Sequence, residues 1–522
     1  MRFAIAAAAA LFLAQDVHFG EKIEVRLVEV DAVVTDRGGQ RVYGLTADDF
    51  EVYEWRAQQK ITNFSEYRAA PQTSNPEGSV PSAAPVRPRP REPHSLIVLL
   101  DSLPRKDFVR QKMFQQIEEL LAKTIHQGDQ VSVVLWGGGY ERVRTIVDSS
   151  DKDRVLSAVR DFGSRMPADI AEDPHAVTDQ EAGAYASHPE IAARDKVDDG
   201  YGGQTSVSAQ IGAETALMVL HRKTAGIARL IATLGSRPGR KAVLYVSQKF
   251  KLEGEPDKIA AKRYVDEIAA AANASGVVFY AARPFMPDDM ADAADSSEKA
   301  VSADDWMMNG GALQRVTDAT GGLLEYALSS VGTLAPRVAE DLESYYSIAY
   351  RAQSSGGDRV RSITVRAKNP EYRVRTRTAV VEKSPATQAK EAVVRRLFVD
   401  EGPSDVQFEV REGPLQRMSG NRWLLPVLVK IPASQLQFAE ERGKHVARAG
   451  VLVASANGVA EVTPVSENEL RIVDPQDIEN GFVTWSASIL GDKRGSKVSI
   501  GVVDRRTGAI GVRTLDNRNR FR

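Results

Sequence analysis

Asp101 is the side chain whose neighbours best equip it for chemistry. Four large apolar residues, Ile97 to Leu100, run into it, and Ser102, Pro104 and Arg105 break the run in "SLIVLLDSLPRKD". A carboxylate that ends a buried strand is a common start for a ligand or metal site, since the strand fixes it and the loop supplies partners. This loop supplies a proline and a fixed cation, which are poor company for a metal. Three readings stay open at this point: a metal ligand, an acid neutralised by a neighbouring side chain, and a simple helix cap.

Other reactive residue types carry weaker signals. The seven histidines fall in no His-Glu-x-x-His helix and near no G-x-S-x-G turn, so the usual zinc-hydrolase and serine-hydrolase patterns are missing. His175 and His188, with Asp173 or Glu190, lie in an acidic stretch over 165–199 where solvated loop residues are the simpler reading. Cysteine is absent, which excludes thiol chemistry and thiolate metal sites. "GSRPGRK" (235–241) has the wrong spacing for a phosphate loop and precedes a strand, so it reads as a helix stop. "DSSDKD" (148–153) lacks the glycine and distal glutamate of a calcium loop and reads as a helix cap. The C-terminal "DRRTGAIGVRTLDNRNRFR" holds six arginines against two aspartates, suited to an anionic surface or to the acidic stretch, or simply to a solvated edge strand.

The elements that position Asp101 alternate between strand and helix. The strand 95–101 precedes a helix over about 106–126, with Phe108, Met113, Ile117, Leu120 and Leu121 at helical spacing. Strands at 130–136, 241–247 and 277–283 and helices over 210–235, 257–275 and 303–320 continue the pattern. Continuous apolar strands between helices predict an α/β, doubly wound, mainly parallel sheet over 94–343, interrupted by 165–199. On either side the pattern is different. Residues 21–68 read as short strands, 69–93 as a linker with seven prolines, and 344–382 as two or three more strands. Neither 21–68 nor 344–382 has enough strands to bury a face alone, so the two are expected to complete one sandwich. Residues 383–403 read as a polar linker and 404–522 as a C-terminal β-sandwich.

Length and composition bound the function. A chain of 522 residues, 43% hydrophobic and 26% charged, is globular and divides into about three or four domains. Its net charge of -2 gives no basic excess for nucleic-acid binding. Arg2 followed by the apolar Phe3 to Ala14 fits a secretory signal, with residues 1–20 as signal and N-terminal tail. That stretch falls short of the roughly 20 residues a membrane span needs. The expectation is an exported chain, periplasmic or extracellular, with no stable span.

Several blocks in order carry a family resemblance. "VDAVVTDRGGQRVYGLTADDFEVYE", the strand ending in Asp101, "RPGRKAVLYVS", "VVFYAAR", "ATGGLLEYA" and "DLESYYSIAYRA" resemble a bacterial family of exported von Willebrand factor A-related proteins over residues 24–382. The resemblance implies a von Willebrand A-type (Rossmann-like) sheet that binds protein partners through Mg²⁺ or Mn²⁺. In that family the ion is held by an Asp-x-Ser-x-Ser loop, a threonine and a second aspartate. Asp101 matches the first carboxylate and Thr205 is the candidate threonine. Leu103 and Arg105 replace the two serines, and Gln248 and Lys249 stand where the second aspartate and its glycine belong.

These substitutions point to a degenerate adhesion site formed by Asp101, Ser102, Arg105, Thr205, Gln248 and Lys249. Its charge is expected to be answered by Arg105 or Lys249, with no cofactor; metal at Asp101 and Thr205 is the alternative. The function expected is non-enzymatic protein binding, in adhesion or scaffolding. A hydrolase with an unrecognised carboxylate site and a purely structural envelope module remain the competing classes.

Overall fold

Short strands, and not the central helices, set the character of this chain at both ends. The computed structural model describes residues 25–68, 89–90, 92–101, 103, 107–137, 142–165, 196–198, 204–247, 258–285, 303–328, 331, 333–353, 357–398, 403–419, 422–456, 462–492 and 497–516. β1 (Val25–Thr35), β2 (Phe50–Glu54), β3 (Ala57–Gln59), β4 (Ile61–Arg68) and the short β5 (Arg89–Pro90) come first. Before β2, the Thr46 N–H donates to Asp49 Oδ2 at 2.7 Å and closes a single helical turn.

The middle of the chain begins with β6 (Ser95–Asp101), α1 (Asp107–Thr124), β7 (Gln130–Gly137), β8 (Arg142–Ser149) and α2 (Lys152–Arg165). β9 (Lys196–Asp198) and β10 (Gln204–Ser206) form a separate antiparallel hairpin ahead of α3 (Val207–Thr233). β11 (Lys241–Ser247), α4 (Lys258–Ser275), β12 (Val277–Phe285), α5 (Ala303–Thr320), β13 (Leu324–Leu328) and α6 (Leu334–Glu343) follow. Six of these strands form one mixed sheet in the order β13-β12-β11-β6-β7-β8, with β8 antiparallel and its other neighbours parallel. Every residue of β6 is buried, because both faces are covered. Leu96, Val98 and Leu100 pack with α1, α2 and α6, whereas Ile97 and Leu99 pack with α3, α4 and α5.

β14 (Tyr345–Gln353), β15 (Arg359–Ala367), β16 (Arg373–Thr376) and β17 (Ala379–Glu382) return the chain to its beginning. β14 inserts between β1 and β4 in a sheet ordered β16-β1-β14-β4-β5, and β15 pairs with β2 in a second sheet ordered β17-β15-β2-β3. The two sheets share a core that includes Val30, Phe50, Val52, Tyr346, Ile348 and Ile363.

Residues 383–403, which read as a linker, contain α7 (Pro385–Arg396), capped by the Ser384 hydroxyl and started by Pro385. Beyond it lie β18 (Glu409–Glu412), β19 (Gln416–Arg417), β20 (Arg422–Pro432), β21 (Ala439–Glu441), β22 (Lys444–Ala456), β23 (Ser466–Asp474), β24 (Phe482–Asp492), β25 (Lys497–Asp504) and β26 (Ile510–Asp516). Two antiparallel sheets, built around β20 and around β22 and β25, face each other over Trp423, Val427, Val451 and Ile500. β20 alternates buried and half-buried residues, as a strand with one covered face should. β22 and β25 are buried on both faces because Ala389, Ala392 and Val393 of α7 cover the second.

The fold class expected from the sequence is therefore corrected. Among the described residues strand outweighs helix, 47% against 30%, and most sheets are antiparallel, so the described fold is mostly β where a doubly wound, mainly parallel von Willebrand A-type sheet was expected to dominate. Continuous apolar runs mark the middle strongly, but the alternating short strands at both ends carry most of the strand content. Moreover, the few residues between β7 and β8 are too short a link for a parallel crossover, so that edge turns back and the sheet is mixed.

Buried charge fastens the N-terminal strands to the mixed sheet. Asp341 of α6 is fully buried; it accepts the Tyr280 hydroxyl at 2.7 Å, receives Arg375 Nη2 at 2.8 Å on each oxygen, and pairs with Arg41. Gly321, at φ +77°, lets the turn after α5 press on β16, since a Cβ there would lie 2.7 Å from the Thr376 carbonyl carbon.

Candidate functional site

The position of Asp101 follows from strand parity. Side chains alternate faces along a strand, so Asp101 shares the face of Ile97 and Leu99, under α3. Register with β11 sets Leu99 opposite Tyr245 and Asp101 opposite Ser247. On the other side, Asp101 pairs with Trp136 of β7. Asp101 thus sits at the carboxyl ends of β6 and β11, where the order of strands in the sheet reverses relative to the chain.

α3 closes over this row. Leu220, Ile227, Leu230 and Ile231 bury its inner stripe, and Lys223 occupies the same stripe one turn from Leu220. Gly226 permits the close seat, because a Cβ there would lie 2.3 Å from the Trp136 ring. Lys223 Nζ pairs with Asp101 Oδ2. The Tyr245 hydroxyl donates to the same oxygen, and the Ser247 hydroxyl donates to it at 3.3 Å. Asp101 is 3% exposed, and Tyr245 and Ser247 are fully buried.

The electrostatics follow from that burial. Desolvation pushes the Tyr245 phenol well above its ordinary pKa, and the adjacent Asp101 charge and hydrogen bond push it further. The phenol is therefore a stable donor to the carboxylate at neutral pH. Arg283 of β12 opposes that rise with its positive charge; it is buried on the same face, with its guanidinium 5.8 Å from the centre of the Tyr326 ring. One cation and two hydroxyls thus meet this acid, and a second cation acts on Tyr245 beyond it.

The residues named from the sequence fare unequally. Asp101 is where a strand-ending acid should be. Thr205 lies on β10, in the hairpin outside the mixed sheet, and its side chain falls outside the described residues. Ser102, Arg105, Gln248 and Lys249 also fall outside them, as do His175, His188, Asp173, Glu190 and the N-terminal residues 1–24. The cation on Asp101 among the described residues is Lys223, which the sequence reading did not name. Its signal was available: a lysine at an apolar-stripe position of a long helix. Among the described residues, no group of three or more His, Cys, Asp or Glu is arranged to hold a metal, and no helix is long and apolar enough to cross a membrane.

No family model matches the chain, and no curated protein matches it. Among solved structures, the human COPII-coat protein Sec24c is similar at 9% identity and a TM-score of 0.23, over 60% of this chain and 46% of that one. The pilus adhesin SpaC from Lactobacillus rhamnosus GG, in its open conformation, is similar at 8% identity and a TM-score of 0.27, over 90% of this chain and 56% of that one. The chain spans about half the length of these two proteins. Likenesses this shallow imply no shared role, and the von Willebrand factor A resemblance read from the sequence stays a resemblance.

Proposed function

We propose that the chain is an exported, non-enzymatic protein-binding protein, adhesive or scaffolding in role, whose Asp101 site carries its own counter-charge. The observation that supports this reading is the Lys223 ammonium held against Asp101 Oδ2 beneath α3. Magnesium takes near-octahedral oxygen ligation and keeps several waters. An ammonium on the same carboxylate oxygen repels a dication from that position. The described residues therefore do not fit Mg²⁺ or Mn²⁺, and a partner is met through direct hydrogen bonds and charge. Ser102, Arg105, Gln248 and Lys249 adjoin β6 and β11 in sequence and are the contacts proposed. Export rests on Arg2 and the apolar run from Phe3 to Ala14.

Calorimetric titration of the full chain with Mg²⁺ and Mn²⁺ tests the charge substitution. The expected result is no binding by wild type and a gain of weak binding in Lys223→Ala, where the carboxylate is opened. Micromolar binding by wild type that Asp101→Ala abolishes would overturn the reading. A panel of hydrolase substrates run on the same protein tests the non-enzymatic part, where turnover lost on a single carboxylate substitution would sink it.

A further inference from the structure

The C-terminal sandwich presents a second surface, independent of Asp101. A cleft of about 840 Å³, within the range of about 300–1,000 Å³ typical of ligand sites, opens between the edges of its two sheets. One wall is β26 and the other is β18 with the segment leading to it. Arg396, Arg411 and Arg513 line it, and among the lining residues the one acid is Glu409, 3.9 Å from Arg411. Half-buried Val410 and Leu515 give the cleft an apolar wall beside the core residue Phe408, and Arg513 is fixed by donating from Nε to the Phe408 carbonyl at 2.8 Å.

The backbone of β26 supplies the second half of the recognition. The Val512 N–H donates outward to the Pro403 carbonyl at 3.1 Å, and the Ile510 carbonyl accepts from the Asp405 N–H at 3.0 Å. In an antiparallel ladder alternate residues turn their polar groups to opposite sides. Ile510, Val512 and Thr514 therefore face away from β25. The 403–405 segment covers the first part of this edge and then crosses to β18; by the same parity the Thr514 N–H and carbonyl point to that side, where Thr514 lines the cleft and its hydroxyl donates to the Arg396 carbonyl at 3.1 Å. A sheet edge of this kind pairs readily with an added strand.

We propose that this cleft binds an extended acidic segment of a partner protein as a strand added to β26. Main-chain bonds to Thr514 set the register, Arg411 and Arg513 take carboxylates on one side of the added strand, and Val410 and Leu515 take the alternate side chains. Arginine suits the task, since its planar fork holds a carboxylate through two parallel bonds.

The test uses the full chain and a fluorescent peptide alternating valine with glutamate, read by anisotropy, with a valine–lysine peptide as its counterpart. Wild type is expected to bind the glutamate peptide at least about tenfold more tightly than the lysine one, a difference of about 1.4 kcal/mol. Arg411→Glu with Arg513→Glu should abolish that preference. Thr514→Pro removes an N–H pointing off the sheet together with the hydroxyl's bond to the Arg396 carbonyl, and should weaken binding about tenfold relative to Thr514→Val, which loses only the hydroxyl bond. Arg411→Ala, at an exposed position, is the control if the double reversal fails to fold, and should weaken binding severalfold. No preference between the peptides overturns the proposal, and so does binding that falls with the arginines but ignores Thr514→Pro. Asp101→Ala should leave peptide binding unaltered, which keeps this site's failure distinct from that of the Asp101 reading.

Discussion

Asp341 and Asp101 are two buried acids on opposite faces of the same sheet, and each takes a tyrosine hydroxyl from it. Tyr280 of β12 serves Asp341, and Tyr245 of β11 serves Asp101. They differ in their cations. Asp341 receives Arg41 and Arg375, both from the N-terminal sandwich, and Arg375 bridges both of its oxygens. Burial pulls both guanidinium pKa values below their ordinary range, yet arginine stays charged at any physiological pH. Among the described residues Asp101 receives a lysine, a point charge on a long stem, from a helix of its own unit. The arginines rivet two pieces of the molecule together. The lysine is a tethered counter-ion, its side chain partly exposed. The difference separates a carboxylate that joins two parts of the fold from one neutralised within its own unit.

The widest gap between the two should appear in Asp341→Asn. It strands two buried guanidiniums and is expected to cost about 3–5 kcal/mol, the range for breaking a buried ion pair. The loss should be read by urea denaturation, with the transition of the N-terminal sandwich separating from that of the mixed sheet. If the cost matches that of Asp101→Asn, the distinction between rivet and counter-ion fails. Asp101→Asn itself should cost about 1–3 kcal/mol, because Lys223 keeps a route to solvent. Adding Lys223→Met to it should return about 1 kcal/mol, and a purely additive double variant would show that the pair is not coupled.

A smaller effect lies at alkaline pH. The Tyr245 phenol is held well above 10.0 by burial and then by Asp101. A group raised in the folded state contributes stability that is present below its unfolded value and lost as pH rises through the folded one. Stability should therefore fall above about pH 10, and Tyr245→Phe should flatten that fall in a denaturation series across pH. The smallest change is expected at Asp358, an exposed acid held mainly by neutral donors. The Thr387 hydroxyl, then the Ser384 N–H, hold its carboxyl below the ordinary 3.8. Its contribution is present above that ordinary value and is lost as pH falls through the lower folded one. Asp358→Ala should only fray the start of α7, seen as faster amide exchange there, and a global loss of stability would contradict this.

The strand ending in Asp101 was legible because four apolar residues before a carboxylate admit few other readings. The helices of the middle were legible from spacing, as at Met113, Ile117 and Leu120. Lys223 was not, since periodicity assigns a residue to a face and says nothing of which neighbour that face meets. That Asp101 lies opposite Ser247, and so under α3, depends on β11 pairing with β6, a contact far apart in the chain. α7 was overlooked for a different reason: its composition is polar, and Ala389, Ala392 and Val393 form too narrow a stripe to stand out. The class of the whole chain was misjudged because apolar runs in the middle weigh more heavily in a sequence than the alternating strands at its ends.

The insertion of β14 between β1 and β4 also sets a timetable for biosynthesis. Both N-terminal strands leave the ribosome with their ladder unfilled and wait until the whole mixed sheet has been translated. At about 5–20 residues per second, that wait is on the order of tens of seconds. A chain delivered unfolded to its destination could assemble all three strands together, whereas one folding as it emerges must keep two sticky edges apart in the meantime.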